Sequence, residues 1–236
     1  MKKIAFVFLI FILLVSSSCA FLNKESDINY YYSIDDYIEG FYFPERIGID
    51  ERINEWYSKM LNVLEEPVIF IQDDPNRTIY RFTYHRTWHN LLSIRIEIDE
   101  QEEAAVLFFK INDRHGMELG FPGDLEISKQ RALERSEIEN LIEAIKKYDY
   151  WAMPFDEIKD NWSGRDGSMW IIELLKDGKY NAISRWSPTS KESFQYCDEF
   201  PNGRTISLNR ISDLDAVYEL GRFFIELSGY EIEELY

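Results

Sequence analysis

The three histidines, His85, His89 and His115, are the side chains here best suited to metal binding or acid–base chemistry. His85 and His89 have the four-residue spacing with which one face of a helix binds zinc. The Tyr, Phe and Thr residues around them indicate a strand instead, in which four residues span about 13 Å. One metal ion cannot bridge that distance, and no neighbouring Glu supplies a general base. We therefore predict no metal site and no cofactor.

Motifs for nucleophilic and phosphate chemistry are also missing. The sequence has no Gly-x-Ser-x-Gly elbow and no phosphate-cradling glycine loop. Asp198 and Glu199 follow Cys197, and their charges oppose formation of a thiolate. Adjacent acids such as Asp35 and Asp36 point apart in regular structure. We predict no catalytic residue, and a hydrolase built from scattered carboxylates or histidines is the least favoured class.

The densest cluster of unusual residues lies between Trp162 and Pro188. Within it, residues 176–179, Lys-Asp-Gly-Lys, suit a two-residue type I′ turn. This turn would join a strand at residues 168–175 to a strand at residues 180–186, in a register whose paired residue numbers add up to 355. The turn therefore fixes which side chains share a face.

In that register Trp170 lies opposite Arg185, so a guanidinium could stack on an indole, while Glu173 projects from the other face. The candidate ligand-binding or partner-binding residues are therefore Trp170, Glu173, Arg185 and Trp186. The structural alternative is that both tryptophans fill the core, that Arg185 covers the ring, and that Glu173 binds a loop amide.

The same region resembles a group of uncharacterised bacterial proteins. Their pattern consists of Asp-Gly-x-x-Trp, a Glu, Arg-Trp-Ser-Pro and Glu-Leu-Ser-Gly. It is matched here by residues 166–170, Glu173, 185–188 and 226–229. The resemblance covers residues 161–229 and implies a shared hairpin and helix, without an activity.

The first eighteen residues have the zones of an export signal. Lys2 and Lys3 precede twelve apolar residues, 4–15, which are followed by small residues. Twelve helical residues would span only about 18 Å of a hydrocarbon layer of about 30 Å. We predict a signal peptide at residues 1–18 that is removed, and not a permanent membrane span.

The segment from Val15 to Cys19, Val-Ser-Ser-Ser-Cys, resembles the lipobox of bacterial lipoproteins. In those proteins the signal is cleaved just before the cysteine, which carries a diacylglyceryl thioether and a further acyl chain. The resemblance implies that Cys19 is lipidated and that this acyl anchor holds the protein at a membrane of the cell envelope. The alternative is cleavage after Ala20, with Ser18 at the other small position, which would release a secreted or periplasmic protein.

The charge of the chain restricts its partners. The sequence has 43 acidic and 26 basic residues, a net charge of −17, and loss of Lys2 and Lys3 with the signal would make it −19. Phosphate backbones would be repelled, which excludes nucleic acid. Acidity together with 16% aromatic residues favours a noncatalytic protein that binds a basic protein partner, as immunity and inhibitor proteins do. The alternative is a carbohydrate-binding or cell-wall-binding protein.

The pattern of elements predicts an α+β fold, with antiparallel hairpins packed against three helices. Residues 19–48 would form a tether and an aromatic segment, and residues 49–230 the α+β domain. A boundary at residues 112–128, rich in Gly and Pro, would split that domain into two lobes. The alternative is one domain with a loop there.

Local signals predict the individual elements. Asp50 would cap a helix to about Glu66. Its buried face would carry Ile53, Trp56, Tyr57, Met60, Leu61 and Leu64. A capping box at 136–139 predicts a helix at about 137–148, and Ser212 would begin a last helix that ends at Gly229. Residues 68–72 and 79–88 should be strands. They should be followed by a half-buried strand that carries Ile94, Ile96 and Ile98, and by a more fully covered strand at 104–111.

Overall fold

A computed structural model of the chain describes residues 41–43, 49–70, 77–99, 101–115, 123–155, 167–188, 208–232 and 235. All of them belong to one compact unit, Tyr37–Tyr236. The predicted signal peptide, Cys19, most of the tether and nearly all of the insertion at 189–209 lie outside the described residues.

The described part of the chain forms three helices and six strands. In chain order they are α1 (Glu51–Val63), β1 (Thr78–Arg86), β2 (Asn90–Ile98), β3 (Ala105–His115), β4 (Leu125–Ala132), α2 (Arg135–Lys147), β5 (Ser168–Lys176), β6 (Lys179–Trp186) and α3 (Leu208–Ser228).

The six strands form a single sheet in the order β4-β3-β2-β1-β5-β6, and every neighbouring pair is antiparallel. The fold class is therefore α+β, with an antiparallel sheet and three helices. The segment at 116–122 joins β3 to β4, which are paired neighbours in this sheet.

Each face of the sheet is covered by different helices. Even-numbered residues of β1 and β5, among them Phe82 and Trp170, form the larger core with α2 and α3. Odd-numbered residues of the same strands, among them Ile79 and Ile171, form a second core with α1. We call these two sides the α2–α3 face and the α1 face.

The N-terminus of α1 agrees with the prediction, and its buried face agrees in part, because Tyr57, Met60, Leu61 and Leu64 are buried as expected. Asp50 caps the helix by accepting a hydrogen bond from the backbone N–H of Arg52 at 3.0 Å. Ile53 and Trp56 are 40% and 43% exposed. Asn54 is buried in their place because its side-chain amide donates to the carbonyl oxygen of Phe43 at 2.8 Å.

The other two helices begin earlier than predicted. Helix α2 has its N-cap at Glu134, whose backbone N–H donates to the Glu137 carboxylate at 2.8 Å, so the capping box lies two residues before the expected one. Helix α3 begins at Leu208, before Ser212. Its end agrees with the prediction, since Gly229 follows with a φ of 66°.

The predictions for the strands were right for β1, β5 and β6 and partly wrong for the others. Residues 68–70 form no strand. Strand β2 is buried on both sides along most of its length, including Arg95, and β3 is the less covered of the two, with Val106 exposed. Strand β4 was not predicted at all, because its mostly exposed sequence carries no hydrophobic run.

Candidate functional site

The hairpin of β5 and β6 has the predicted register. Asp177 and Gly178 have φ values of 50° and 68°, which a type I′ turn requires. Trp170 pairs with Arg185, and Glu173 pairs with Ala182. The candidate residues are therefore divided between two faces: Trp170 and Arg185 lie on the α2–α3 face, whereas Glu173 lies on the α1 face.

The two candidates on the α2–α3 face are part of the protein interior. The Trp170 indole is fully buried and packs at 4.9 Å from the Tyr84 ring, between ring centroids. The Arg185 side chain donates to the backbone carbonyl oxygens of Pro154 and Phe155, each at 3.1 Å. Asp213, at 3.6 Å from Nη2, balances its charge. Arg185 therefore fastens the segment before residue 156 to the sheet.

Glu173 belongs to a buried cluster of charged side chains on the α1 face. Arg81 donates to its carboxylate from Nε at 2.6 Å, and the Tyr180 hydroxyl donates to it at 2.9 Å. Arg81 and Glu173 are both inaccessible to solvent. Burial raises the pKa of the Glu173 carboxyl above its ordinary value, and the adjacent Arg81 guanidinium offsets only part of this increase.

The centre of this cluster is Glu66, which follows the end of α1. Its carboxylate lies 2.8 Å from Nε of Arg95, 3.5 Å from Nη1 of Arg81 and 3.6 Å from Nζ of Lys110. Arg81 and Lys110 also donate to the backbone carbonyl oxygens of Pro67 and Glu65, at 2.7 and 2.6 Å. Cations from three neighbouring strands thus hold the chain just after α1. We call Glu66, Arg81, Arg95, Lys110 and Glu173 the buried ion cluster.

The register of the sheet explains why these side chains meet. Phe108, Arg95, Arg81 and Glu173 are successive cross-strand partners on β3, β2, β1 and β5. Partners in such a row project from the same face, with Cβ atoms about 5 Å apart. Two arginines directly opposite each other repel, so the fold supplies Glu66 and Glu173 as counter-charges.

Trp186 and the histidines do not join the cluster. Trp186 is half-buried, and its ring lies against Gly167. His85 is buried at the end of β1 and its ring centroid lies 4.6 Å from that of Trp56, while His89 lies in the turn between β1 and β2. Among the described residues no three His, Cys, Asp or Glu side chains form a group that could hold a metal ion.

Sequence reasoning missed Arg81, Arg95, Lys110 and Glu66. One signal could have found the first two, because Arg81 lies between aromatic residues in β1 and Arg95 lies between isoleucines in β2. Glu66 carries no such signal, since its cationic partners lie elsewhere in the sequence: Arg95 is 29 residues further along the chain. The prediction of β2 as a half-buried strand places Arg95 on its solvent side. An arginine in solvent needs no buried counter-charge, so the sequence does not point to Glu66.

Comparison with known proteins gives no family: no family model matches the chain, and no curated protein is significantly similar to it. No helix in the described part of the chain is long and apolar enough to cross a membrane.

Proposed function

We propose that this chain is a noncatalytic lipoprotein of the cell envelope that binds a basic protein partner, in the manner of an immunity or inhibitor protein. One observation carries the proposal: Trp170, Glu173 and Arg185, which could have formed a ligand site, are buried and bound to other parts of the protein. What the described residues leave for a partner is a set of exposed aromatic side chains, on a chain whose net charge is −17.

The outer side of α1, meaning the exposed parts of Ile53 and Trp56, fits such a partner best; the rest of the Trp56 ring packs against His85 of the sheet, at 4.6 Å between ring centroids. Ile53 and Trp56 lie three residues apart, so they neighbour each other on the helix, and both are about two-fifths exposed. Glu51 and Arg52 are exposed beside them, and Glu55 is partly buried, in an ion pair with Lys59. An exposed tryptophan among charged side chains is typical of the residues that anchor protein interfaces. The net charge of −17 would speed the encounter with a basic partner.

A capture experiment tests the surface. Immobilised protein would be incubated with envelope extract at low and at high salt. Trp56→Ser would be compared with Trp151→Ser, since Trp151 is also exposed, at 37%, but belongs to the segment after α2 and not to α1. We expect a basic protein that is retained at low salt, released at high salt and lost with the Trp56 variant only. Retention that salt does not change, or equal loss with both variants, would contradict the proposal. Binding on a glycan array instead of protein capture would favour the carbohydrate-binding alternative.

The anchor is tested separately. The chain contains two cysteines, Cys19 and Cys197, so Cys197→Ser is a matched control for Cys19→Ser. If Cys19 is acylated, only Cys19→Ser should abolish incorporation of labelled palmitate and move the protein out of the membrane fraction. Mass spectrometry should find the mature chain beginning at a modified Cys19. An unmodified chain beginning at Phe21 would show that the alternative cleavage after Ala20 is correct.

A further inference from the structure

Beside the buried ion cluster, the α1 face carries a second row of polar residues. Lys110, Ser93 and Thr83 are successive cross-strand partners on β3, β2 and β1, in the row next to Arg95 and Arg81. All three are buried: Ser93 is 0%, Thr83 2% and Lys110 9% exposed. The row is therefore shielded from bulk solvent.

The hydroxyl oxygens of Thr83 and Ser93 have no hydrogen-bond partner among the described residues. A buried hydroxyl without a partner costs about 1 to 3 kcal/mol, and most such groups in native proteins are satisfied. Because the two residues are direct cross-strand partners, their Cβ atoms lie about 5 Å apart. Both hydroxyls can therefore donate to one atom between them.

Among the described residues, the charge around this pair has an excess of one cation. Arg81, Arg95 and Lys110 lie on the α1 face with the two carboxylates of Glu66 and Glu173. Glu97 forms ion pairs with Arg95 and with Arg77. Counting Glu97 and Arg77 as well adds one charge of each sign, so the excess is unchanged. A buried charge without a counter-ion is unfavourable in a low dielectric. A small monovalent anion would offset this charge and accept both hydroxyl hydrogens.

We propose that Thr83, Ser93 and Lys110, supported by Arg81 and Arg95, form a buried binding site for a small monovalent anion of the size of a halide. The same three cations lie 2.8 to 3.6 Å from the Glu66 carboxylate, so an anionic oxygen on this face is already within their reach. The anion would complete the contact between α1 and the sheet by balancing the charge beneath the helix.

Bromide is the probe, because its anomalous X-ray scattering identifies it. Protein refolded and crystallised in sodium bromide should show an anomalous peak within hydrogen-bonding distance of Thr83 Oγ1 and Ser93 Oγ. In a variant that carries Thr83→Val and Ser93→Ala, which keeps similar shapes without hydroxyls, the peak should be lost. Water density alone at this position in the wild-type crystal would overturn the proposal.

Stability in solution gives a second reading. Bromide should raise the midpoint of thermal unfolding of the wild type more than that of the Thr83→Val, Ser93→Ala variant. Screening of charges by salt affects both proteins equally, so the larger rise in the wild type measures binding at the site. Ser184→Ala is the matched control, because Ser184 lies in the same row on β6 but its hydroxyl already contacts the Met169 sulfur at 2.9 Å. This control should keep the full bromide effect. Equal bromide effects in the wild type and the double variant would refute the site.

Discussion

His85 is a buried base whose environment favours its neutral form. Burial lowers the pKa of the imidazole from 6.5 to about 4, and its Nε2 has no hydrogen-bond partner among the described residues. The Trp56 ring covers it from α1. Protonation of His85 therefore works against the packing of α1 on the sheet.

We predict that His85 makes the protein less stable in mild acid. Between pH 6.5 and about 4 the unfolded chain binds a proton at this position and the folded chain does not, so stability falls as the pH falls through that interval. Below it both states are protonated and the loss stays constant, at about 3 kcal/mol. Urea unfolding of wild type and His85→Phe should measure this. At pH 8 the difference in the free energy of unfolding between the two proteins reports the change in packing alone. If this difference is the same in acid, the prediction is wrong.

Glu173 is the residue whose role in the buried ion cluster can be measured most directly. Glu173→Gln keeps the shape and the contact with the Tyr180 hydroxyl but leaves Arg81 without one of its two carboxylates. Removing one partner of a buried ion pair costs about 3 to 5 kcal/mol. Chemical denaturation should show this loss, while Glu139→Gln, which breaks an exposed pair with Arg135, should change little. Equal effects in the two variants would mean that the cluster is not a structural link.

At the scale of elements, the sequence predicts best what local chemistry decides. Asp177 and Gly178 adopt the left-handed conformations that their turn needs, so the whole register of β5 and β6 follows from two residues. The N-cap of α1 is equally local. The burial of Arg95 is not, because its counter-charge Glu66 lies on another element and only the folded sheet brings them together. The candidate site was therefore predicted only at Glu173.

The contact between α3 and the sheet depends on a glycine. A Cβ atom added to Gly221 would lie 2.4 Å from Cε3 and Cζ3 of the buried Trp170 ring. Alanine normally stabilises a helix interior by about 1 kcal/mol relative to glycine. Here we predict that Gly221→Ala is destabilising, by about 1 to 3 kcal/mol, because the core cannot accept the methyl group.

A double-mutant cycle identifies the cause of that effect. Trp170→Phe removes the outer ring that the new methyl group would meet. Gly221→Ala should therefore cost less in the Trp170→Phe background than in the wild type, as measured by thermal or urea unfolding. If the cost is the same in both backgrounds, the clash with Trp170 is not its origin.

At the scale of the whole molecule, one sheet serves two cores. Residues next to each other in β1 and β5 point to opposite faces, so Phe82 packs in the larger core while Arg81 belongs to the buried ion cluster. A disturbance on either face therefore reaches the backbone that supports the other. A partner that binds the outer side of α1 would stabilise the same sheet on which α2 and α3 pack.

This architecture predicts that the two cores unfold together. Leu61 on α1 and Leu141 on α2 are almost fully buried, on opposite faces of the sheet. Truncation of either to alanine should lower the free energy of unfolding by about 2 to 5 kcal/mol. Native-state hydrogen exchange distinguishes local from global effects. In each variant, the protection of the slowest amides of α2 should fall in proportion to that variant's loss of unfolding free energy. The proportion should be the same for Leu61→Ala and Leu141→Ala. If Leu61→Ala exposed the amides of α1 alone and left those of α2 at wild-type protection, α1 would be an independent unit, and binding at its surface could not stabilise the sheet.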